Sequence, residues 1–364
     1  MFKFNELTQI HLEITNNCQA SCPMCTRNIH GGVENPLIQI ESWTLERYKK
    51  IINDEVLNQI ELLYFCGNYG DPLLNNNLIN MIKYSVNINP NVSVSIHTNG
   101  SLRSTDWWEE LAIVLPKKHN VVFAIDGLED THKIYRMGTD FNKIINNASA
   151  FIKAGGNAEW AYIRFKHNEH QVDEAKQLAT DVGFNNFTLK DSSRFLLDAK
   201  FPVYDKDKTV TYYLEPSNYS TLKFIDKNVL LHYKEIVKET KIVCHALKSK
   251  EIYINAQGHI FPCCWLAMIP YQPMDENIEV WNVRKHMLDQ YYELVEALGG
   301  IDMLTGENKT IKEVIDSIAY QTVWDNFWND NKLVTCARNC GVMPEVFSTP
   351  KDQFFPRESL IVQN

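Results

Sequence analysis

No stretch of the 364 residues stays apolar for long enough to cross a bilayer, and the start, Met1-Phe2-Lys3-Phe4-Asn5-Glu6, lacks the hydrophobic core of a secretion signal. The two absences predict a cytoplasmic protein that does not use membranes. A basic stripe is missing too. Acidic residues outnumber basic ones by 45 to 36, and the net charge of -9 is spread along the chain, which argues against a role built on nucleic acid. What is present in quantity is cysteine. Nine cysteines in a reducing compartment point to metal or redox chemistry more than to disulfides. The length leaves room for one barrel-sized domain and a smaller one.

Three of the nine lie close together, as Cys18-Gln-Ala-Ser-Cys22-Pro-Met-Cys25. The spacing lets three thiolates converge on one iron-sulfur cluster at the end of a predicted strand, Gln9 to Thr15. Three ligands leave one iron of a [4Fe-4S] cluster open to an outside ligand, whereas electron-carrying clusters have four thiolates. A zinc knuckle is the competing reading, but structural zinc asks for four ligands; buried cysteines would need no fixed spacing.

From Gln9 to about Lys190 short β-rich runs alternate with amphipathic ones. Further strands are expected over Glu61 to Cys66, Val92 to His97, Val121 to Asp126, Trp160 to Lys166 and Phe187 to Lys190. Between them, helices are expected over Thr44 to Val56, Leu78 to Asn87, Trp107 to Leu115, Phe141 to Ala154 and Val172 to Val182. Six alternations predict an α/β fold with a parallel sheet and right-handed crossovers, which an open (β/α)6 partial barrel satisfies. In such barrels the working groups gather at the carboxyl ends of the strands. The chain is divided accordingly: barrel 1–200, linker and bridging helix 201–241, small cysteine-rich α+β domain 242–345, tail 346–364.

Four of the later strand ends carry a motif. The second runs into Tyr69-Gly70-Asp71-Pro72, where glycine permits close backbone approach and the acid can accept from an ammonium. The third ends in His97-Thr98-Asn99-Gly100. The fourth ends in Ala124-Ile125-Asp126-Gly127, followed by Thr131-His132-Lys133-Ile134-Tyr135-Arg136. The sixth ends in Leu189-Lys190-Asp191-Ser192-Ser193-Arg194. Any one of these is an ordinary turn. Together with the three cysteines they resemble the radical S-adenosylmethionine (AdoMet) superfamily, whose members bind AdoMet at the open iron of the cluster. The resemblance implies a partial TIM-type barrel and a cofactor pocket containing Met24, Tyr69, Gly70, Asp71, Asn99, Asp126 and Arg136. Asp71 would meet the methionyl amine and Arg136 the carboxylate, because guanidinium matches carboxylate geometry. Two departures stand out: Asp71 replaces the family's glutamate, and Ala124 replaces a serine that touches ribose. Asp191, at the end of strand six, is the candidate acid/base, with a helix cap as its bland alternative.

A second cysteine set follows the barrel: Cys244, then Cys263, then Cys336-Ala-Arg-Asn-Cys340. The run Ile252 to Cys263 alternates around Ala256-Gln257-Gly258 and predicts a β-hairpin. The spacing Cys-x13-Gly-x4-Cys resembles the opening of the SPASM domain, but the later cysteines are too few for two clusters. The set therefore resembles the truncated twitch form, with Cys244, Cys263, Cys336 and Cys340 as ligands of one auxiliary [4Fe-4S] cluster. Four-thiolate zinc is the rival. Cys66 and Cys264 are read as structural. The aromatics between Cys264 and Cys336 are expected to be packing core.

The resemblance implies AdoMet cleavage to a 5'-deoxyadenosyl radical, hydrogen abstraction and net oxidation or crosslinking of a peptide or protein side chain, with a reducing partner such as flavodoxin or ferredoxin. A small-molecule dehydrogenase acting on a sugar alcohol is the alternative. About ten residues before the first strand leave no room for a leader-peptide recognition domain. A non-catalytic electron carrier or zinc-stabilised binding protein is the reading from another class.

Overall fold

Along each barrel strand, alternate side chains part to opposite faces. A computed structural model describes residues 1–115, 118–195, 200–220, 230–274 and 278–342. Its strands are β1 (Gln9–Leu12), β2 (Asn28–Ile29), β3 (Val33–Glu34), β4 (Leu62–Phe65), β5 (Ser93–Thr98), β6 (Asn120–Ala124), β7 (Ala158–Arg164), β8 (Asn186–Asp191), β9 (Phe201–Tyr204), β10 (Val210–Leu214), β11 (Lys241–Ile242), β12 (Glu251–Ile254), β13 (Ile260–Phe261) and β14 (Gly341–Val342). β1, β4, β5, β6, β7 and β8 pair in parallel in that order, as the expected partial barrel requires.

One face of this sheet is apolar. Ile10, Leu63, Ile96, Phe123 and Trp160 point outward to the helix layer, where the Trp108 ring lies 4.9 Å from that of Phe123. Each such buried side chain contributes about 1.5–3 kcal/mol. The covering helices include Leu78–Ile88, Thr105–Val114, Phe141–Lys153 and Val172–Val182. Their starts follow ordinary capping chemistry: Ser104 accepts from the Trp107 amide and Asp140 from the Lys143 amide. Thr44 to Val56 is not one helix. Asn53 caps a second helix by accepting from the Val56 amide, so the segment divides into Leu45–Ile51 and Asp54–Gln59.

Two further departures matter for the site. The predicted hairpin forms, as β12 and β13, but β12 pairs in parallel with β1, so the eight-stranded sheet runs β13-β12-β1-β4-β5-β6-β7-β8. The hairpin of the cysteine-rich part thus belongs to the barrel sheet. The stretch 201–241 contains the expected helix, Tyr233–Glu239, but also the antiparallel pair β9–β10. Val203 and Leu214 of that pair pack with Cys22, Met24, Tyr135, Phe165 and Phe195 in an apolar cluster over the cysteine loop. Among the insert aromatics, Tyr291, Trp324 and Phe327 are buried, whereas Trp265 and Tyr292 are exposed. The tail 346–364 lies outside the described residues.

Candidate active site

The loop after β1 is pinned from several sides. The Cys25 amide donates to the Cys22 carbonyl at 2.9 Å, Ser21 to Met137 at 2.8 Å, and the Arg27 guanidinium to the Cys18 carbonyl at 3.3 Å. From the end of β8, Arg194 donates to the Met24 carbonyl at 2.6 Å. Arg194 therefore braces the loop. The three thiols share one neighbourhood: burial pushes Cys18 up first, then Asp71, then Cys22 and Cys25. Cys22 is raised by burial and by Cys25, and lowered by Arg136, whose Nη1 is 3.8 Å from its sulfur. Crowded buried thiols resist ionisation unless a cationic metal group offsets their charge, so the donor set fits a thiolate-bound iron-sulfur cluster.

Asp71, Asn99 and Gly70 come together beside Cys18. The Asp71 carboxylate accepts from the Asn99 amide at 2.8 Å, from Asn99 Nδ2 at 2.6 Å, from the Thr98 hydroxyl at 2.9 Å and from the Leu73 amide at 3.0 Å. Burial still raises its carboxyl. It clamps the turn after β4 to the end of β5 and aims Asn99 Nδ2 at the Cys18 sulfur, 3.9 Å away. An incoming ammonium would compete with four donors of the chain. Gly70 has no alternative, since a Cβ there would collide with the Thr15 carbonyl.

The sequence reading missed Glu13. Buried in line with His11 on β1's inner face, it accepts from the Tyr69 amide at 2.8 Å, the Gly70 amide at 3.1 Å and the Tyr253 hydroxyl at 2.8 Å. It thus ties the Tyr69-Gly70 turn to β12. The Tyr69 hydroxyl reaches the Met268 carbonyl at 3.1 Å. Glu13 was visible only as an acid inside a predicted strand, and its partner β12 is 240 residues away.

Asp126 and Arg136 form a buried ion pair, Oδ2 to Nε 2.6 Å. Asp126 also accepts from the Ile163 amide, and its own amide donates to His132 Nδ1 at 3.2 Å. His132 Nε2 faces the Thr139 hydroxyl at 2.9 Å. That arrangement leaves the proton on Nε2.

Asp191 is at the carboxyl end of β8 as expected, but it does not face the barrel interior. It shares a face with Leu189, and Arg164 grips it in two parallel bonds of 3.0 and 3.1 Å. Both of its oxygens are thereby occupied by Arg164. The interior side of β8 presents Lys190 instead. Around it, the inner face carries His11, Tyr64, Cys66, His97 and Tyr253. The rings of His11 and Tyr64 are 4.5 Å apart, those of Tyr64 and His97 4.7 Å, and those of His11 and Tyr253 4.7 Å. The signal was the period-two pattern itself, with polar residues at alternate positions of β1 and β5 and Tyr64 in β4.

The second cysteine set is assembled by short elements. Cys336 and Cys340 are one turn apart on helix Val334–Cys340. β11 pairs with β14, and the Val243 amide donates to the Cys340 carbonyl at 2.9 Å, which draws Cys244 to Cys340. Cys263 follows β13 and precedes helix Cys264–Ala267, which packs on Val334–Cys340. Burial raises the Cys263 thiol, with Cys264, Cys336 and Cys244 adding to it; Cys336 is raised by burial, then Cys244 and Cys340. Among the described residues no three His, Cys, Asp or Glu side chains close on a single metal ion. Cys264 starts a helix and is not on a strand. Burial and then Cys66 push it up to about 12.

An open parallel barrel with a three-thiol loop at the carboxyl ends of its strands defines an AdoMet-binding, iron-sulfur class of protein. The model of the Radical SAM superfamily matches residues 12–186, which makes that segment a radical SAM domain. The cysteine-type anaerobic sulfatase-maturating enzyme of Clostridium novyi (strain NT) is 24% identical over 222 residues, covering 53% of this chain and 55% of that protein. The match therefore spans about half the length of the curated relative. Streptococcus suis SuiB bound to S-adenosylmethionine has a TM-score of 0.50 at 15% identity, covering 76% of this chain and 65% of that one. Native anSMEcpe with bound AdoMet and Cp18Cys peptide also has a TM-score of 0.50 at 15% identity, covering 92% and 88%. These likenesses show the fold. No helix among the described residues is long and apolar enough to cross a membrane.

Proposed function

We propose that the protein is a radical AdoMet oxidoreductase acting on a peptide or protein side chain, with Cys18, Cys22 and Cys25 holding the AdoMet-binding [4Fe-4S] cluster. The observation that carries this reading is the convergence of the three thiols with Asn99 and Arg136, 3.9 and 3.8 Å from Cys18 and Cys22. When bound, AdoMet and its cluster supply a 5'-deoxyadenosyl radical. The chain's own groups position and shield. The Tyr69-Gly70-Asp71 turn, Asn99 and the Asp126–Arg136 pair line the amino-acid end of the pocket, Met24 within the loop has its carbonyl held by Arg194, and the β9–β10 pair excludes water. Cys244, Cys263, Cys336 and Cys340 are assigned an auxiliary [4Fe-4S] cluster that can take up an electron, which favours net oxidation. A flavodoxin- or ferredoxin-like protein is the proposed reductant. The sulfatase-maturating relative and the peptide-bound neighbour support a peptide substrate.

A dehydrogenase of a small molecule is the second reading, favoured by a C-terminal set of four cysteines, enough for one auxiliary cluster. Anaerobic reconstitution tests the proposal. About eight irons per chain and 5'-deoxyadenosine formation under reducing conditions are expected, falling to about four irons and no cleavage when Cys18, Cys22 and Cys25 are replaced by Ala. Zinc without iron in the triple variant would overturn the auxiliary cluster.

A further inference from the structure

Lys190 is out of place for an ordinary interior residue. By the alternation of β8 it faces the barrel lumen: Phe187 and Leu189 pack outward and Asp191 is turned outward to Arg164, while Thr188 and Lys190 point inward. It lies between Leu189 and the cofactor-side mouth, and its charge bears on Cys66, His97 and Asp126, at the ends of β4, β5 and β6. Lys190 is partly exposed, and among the described residues no hydrogen bond or ion pair holds its ammonium. Asp126 is already committed to Arg136 and the Ile163 amide. The carboxyls of Glu13 and Asp71 also bear on Cys66, but each is spent on donors of the chain and burial raises both. Burial keeps His11 and His97 neutral, and the Tyr64 phenol is raised by burial and by Cys66.

An ammonium that faces a lumen and has no partner in the chain is free to pair with an anion that enters there. Here one positive charge stands in a lumen lined by imidazole and phenol, groups that can donate hydrogen bonds to oxygen. A single charge suits a monoanion better than a phosphate dianion. We propose that Lys190 makes the barrel lumen a binding site for a carboxylate carried by the substrate. This rests on reading the barrel as the substrate-holding site. AdoMet has a carboxylate of its own, but Arg136 already stands beside Cys22, at the cluster end, while Lys190 reaches from β8 toward the lumen faces of β4 and β5.

The test uses the reconstituted, AdoMet-loaded protein and two neutral-capped probes, N-acetyl-glutamate methylamide and N-acetyl-glutamine methylamide, with binding followed by ligand-detected NMR. The acid should bind at least about tenfold more tightly than the amide, a difference of about 1.4 kcal/mol. Lys190→Met should abolish that preference, Lys190→Arg should keep it, and neither should change AdoMet affinity by more than about twofold. Equal binding of the two probes, no binding of either, or a preference that survives in Lys190→Met overturns the proposal. A tenfold loss of AdoMet affinity in Lys190→Met also overturns it, by assigning the ammonium to AdoMet. Formation of 5'-deoxyadenosine by the unaltered protein, measured in parallel without probe, reports separately on the AdoMet-cleaving reading.

Discussion

Arg136 meets two demands at once, neutralising buried Asp126 and standing 3.8 Å from the Cys22 sulfur. Changing it to Ala would leave Asp126 buried and uncompensated, so the fold should lose about 3–5 kcal/mol. AdoMet affinity should fall while iron stays bound, because the three thiols are held by backbone contacts that Arg136 does not make. An equilibrium titration with unchanged affinity would assign the AdoMet carboxylate to another group, and chemical denaturation checks the stability loss. At this scale the sequence showed the cysteines and the turn motifs, since loop spacing alone fixes them. It could not show which way a strand residue faces. A one-residue difference in parity separates Asp191, spent on Arg164, from Lys190, open to the lumen, and only pairing with β7 settles it.

Elements rather than single residues build the auxiliary set. Two-residue strands β11 and β14 close a loop of nearly a hundred residues, and the Val243 amide ties the residue before Cys244 to the Cys340 carbonyl. Val243 itself is half exposed, so its side chain adds little. Val243→Pro removes that donor, whereas Val243→Ala keeps it. The proline variant should drop from about eight irons to about four while still cleaving AdoMet, and the alanine variant should keep all of them. Full iron content in Val243→Pro would show that the ladder does not hold Cys244 against Cys340. The strand and helix series of the barrel was legible because each element is long and strongly periodic. The β9–β10 pair was not: its Tyr, Lys and Asp content resembles a linker, and its apolar side, Val203 and Leu214, becomes meaningful only against the cysteine loop. The β12–β1 pairing was hidden for a related reason, because parallel partners far apart in sequence leave no local signature. Placing a charge in the cap tests its shielding role. Val203→Asp should bleach the reconstituted cluster faster in air than Val203→Ala, followed by loss of visible absorbance; equal rates would deny the cap that role.

Taken over the whole molecule, the barrel encloses titratable groups in a setting that favours their neutral forms. Burial lowers His11 to about 4, and lowers His97 and His132 to about 3, with Lys190 adding to the effect on His97 and Arg136 to that on His132. Free histidine titrates near 6.5, so below that pH the unfolded chain binds protons that the fold refuses. The sign follows directly. These three residues contribute their full stability above about pH 6.5, and the contribution falls as pH drops from there toward 3–4. Unfolding free energy measured by denaturant titration should therefore decline steadily from pH 7 to pH 5. Replacing His97 by Gln, which stays uncharged, should flatten part of that slope at the expense of some stability at pH 7 through lost contact with Tyr64. A slope identical to that of the unaltered protein would show that His97 is free to take up its proton inside the barrel, contrary to its buried, ammonium-facing position.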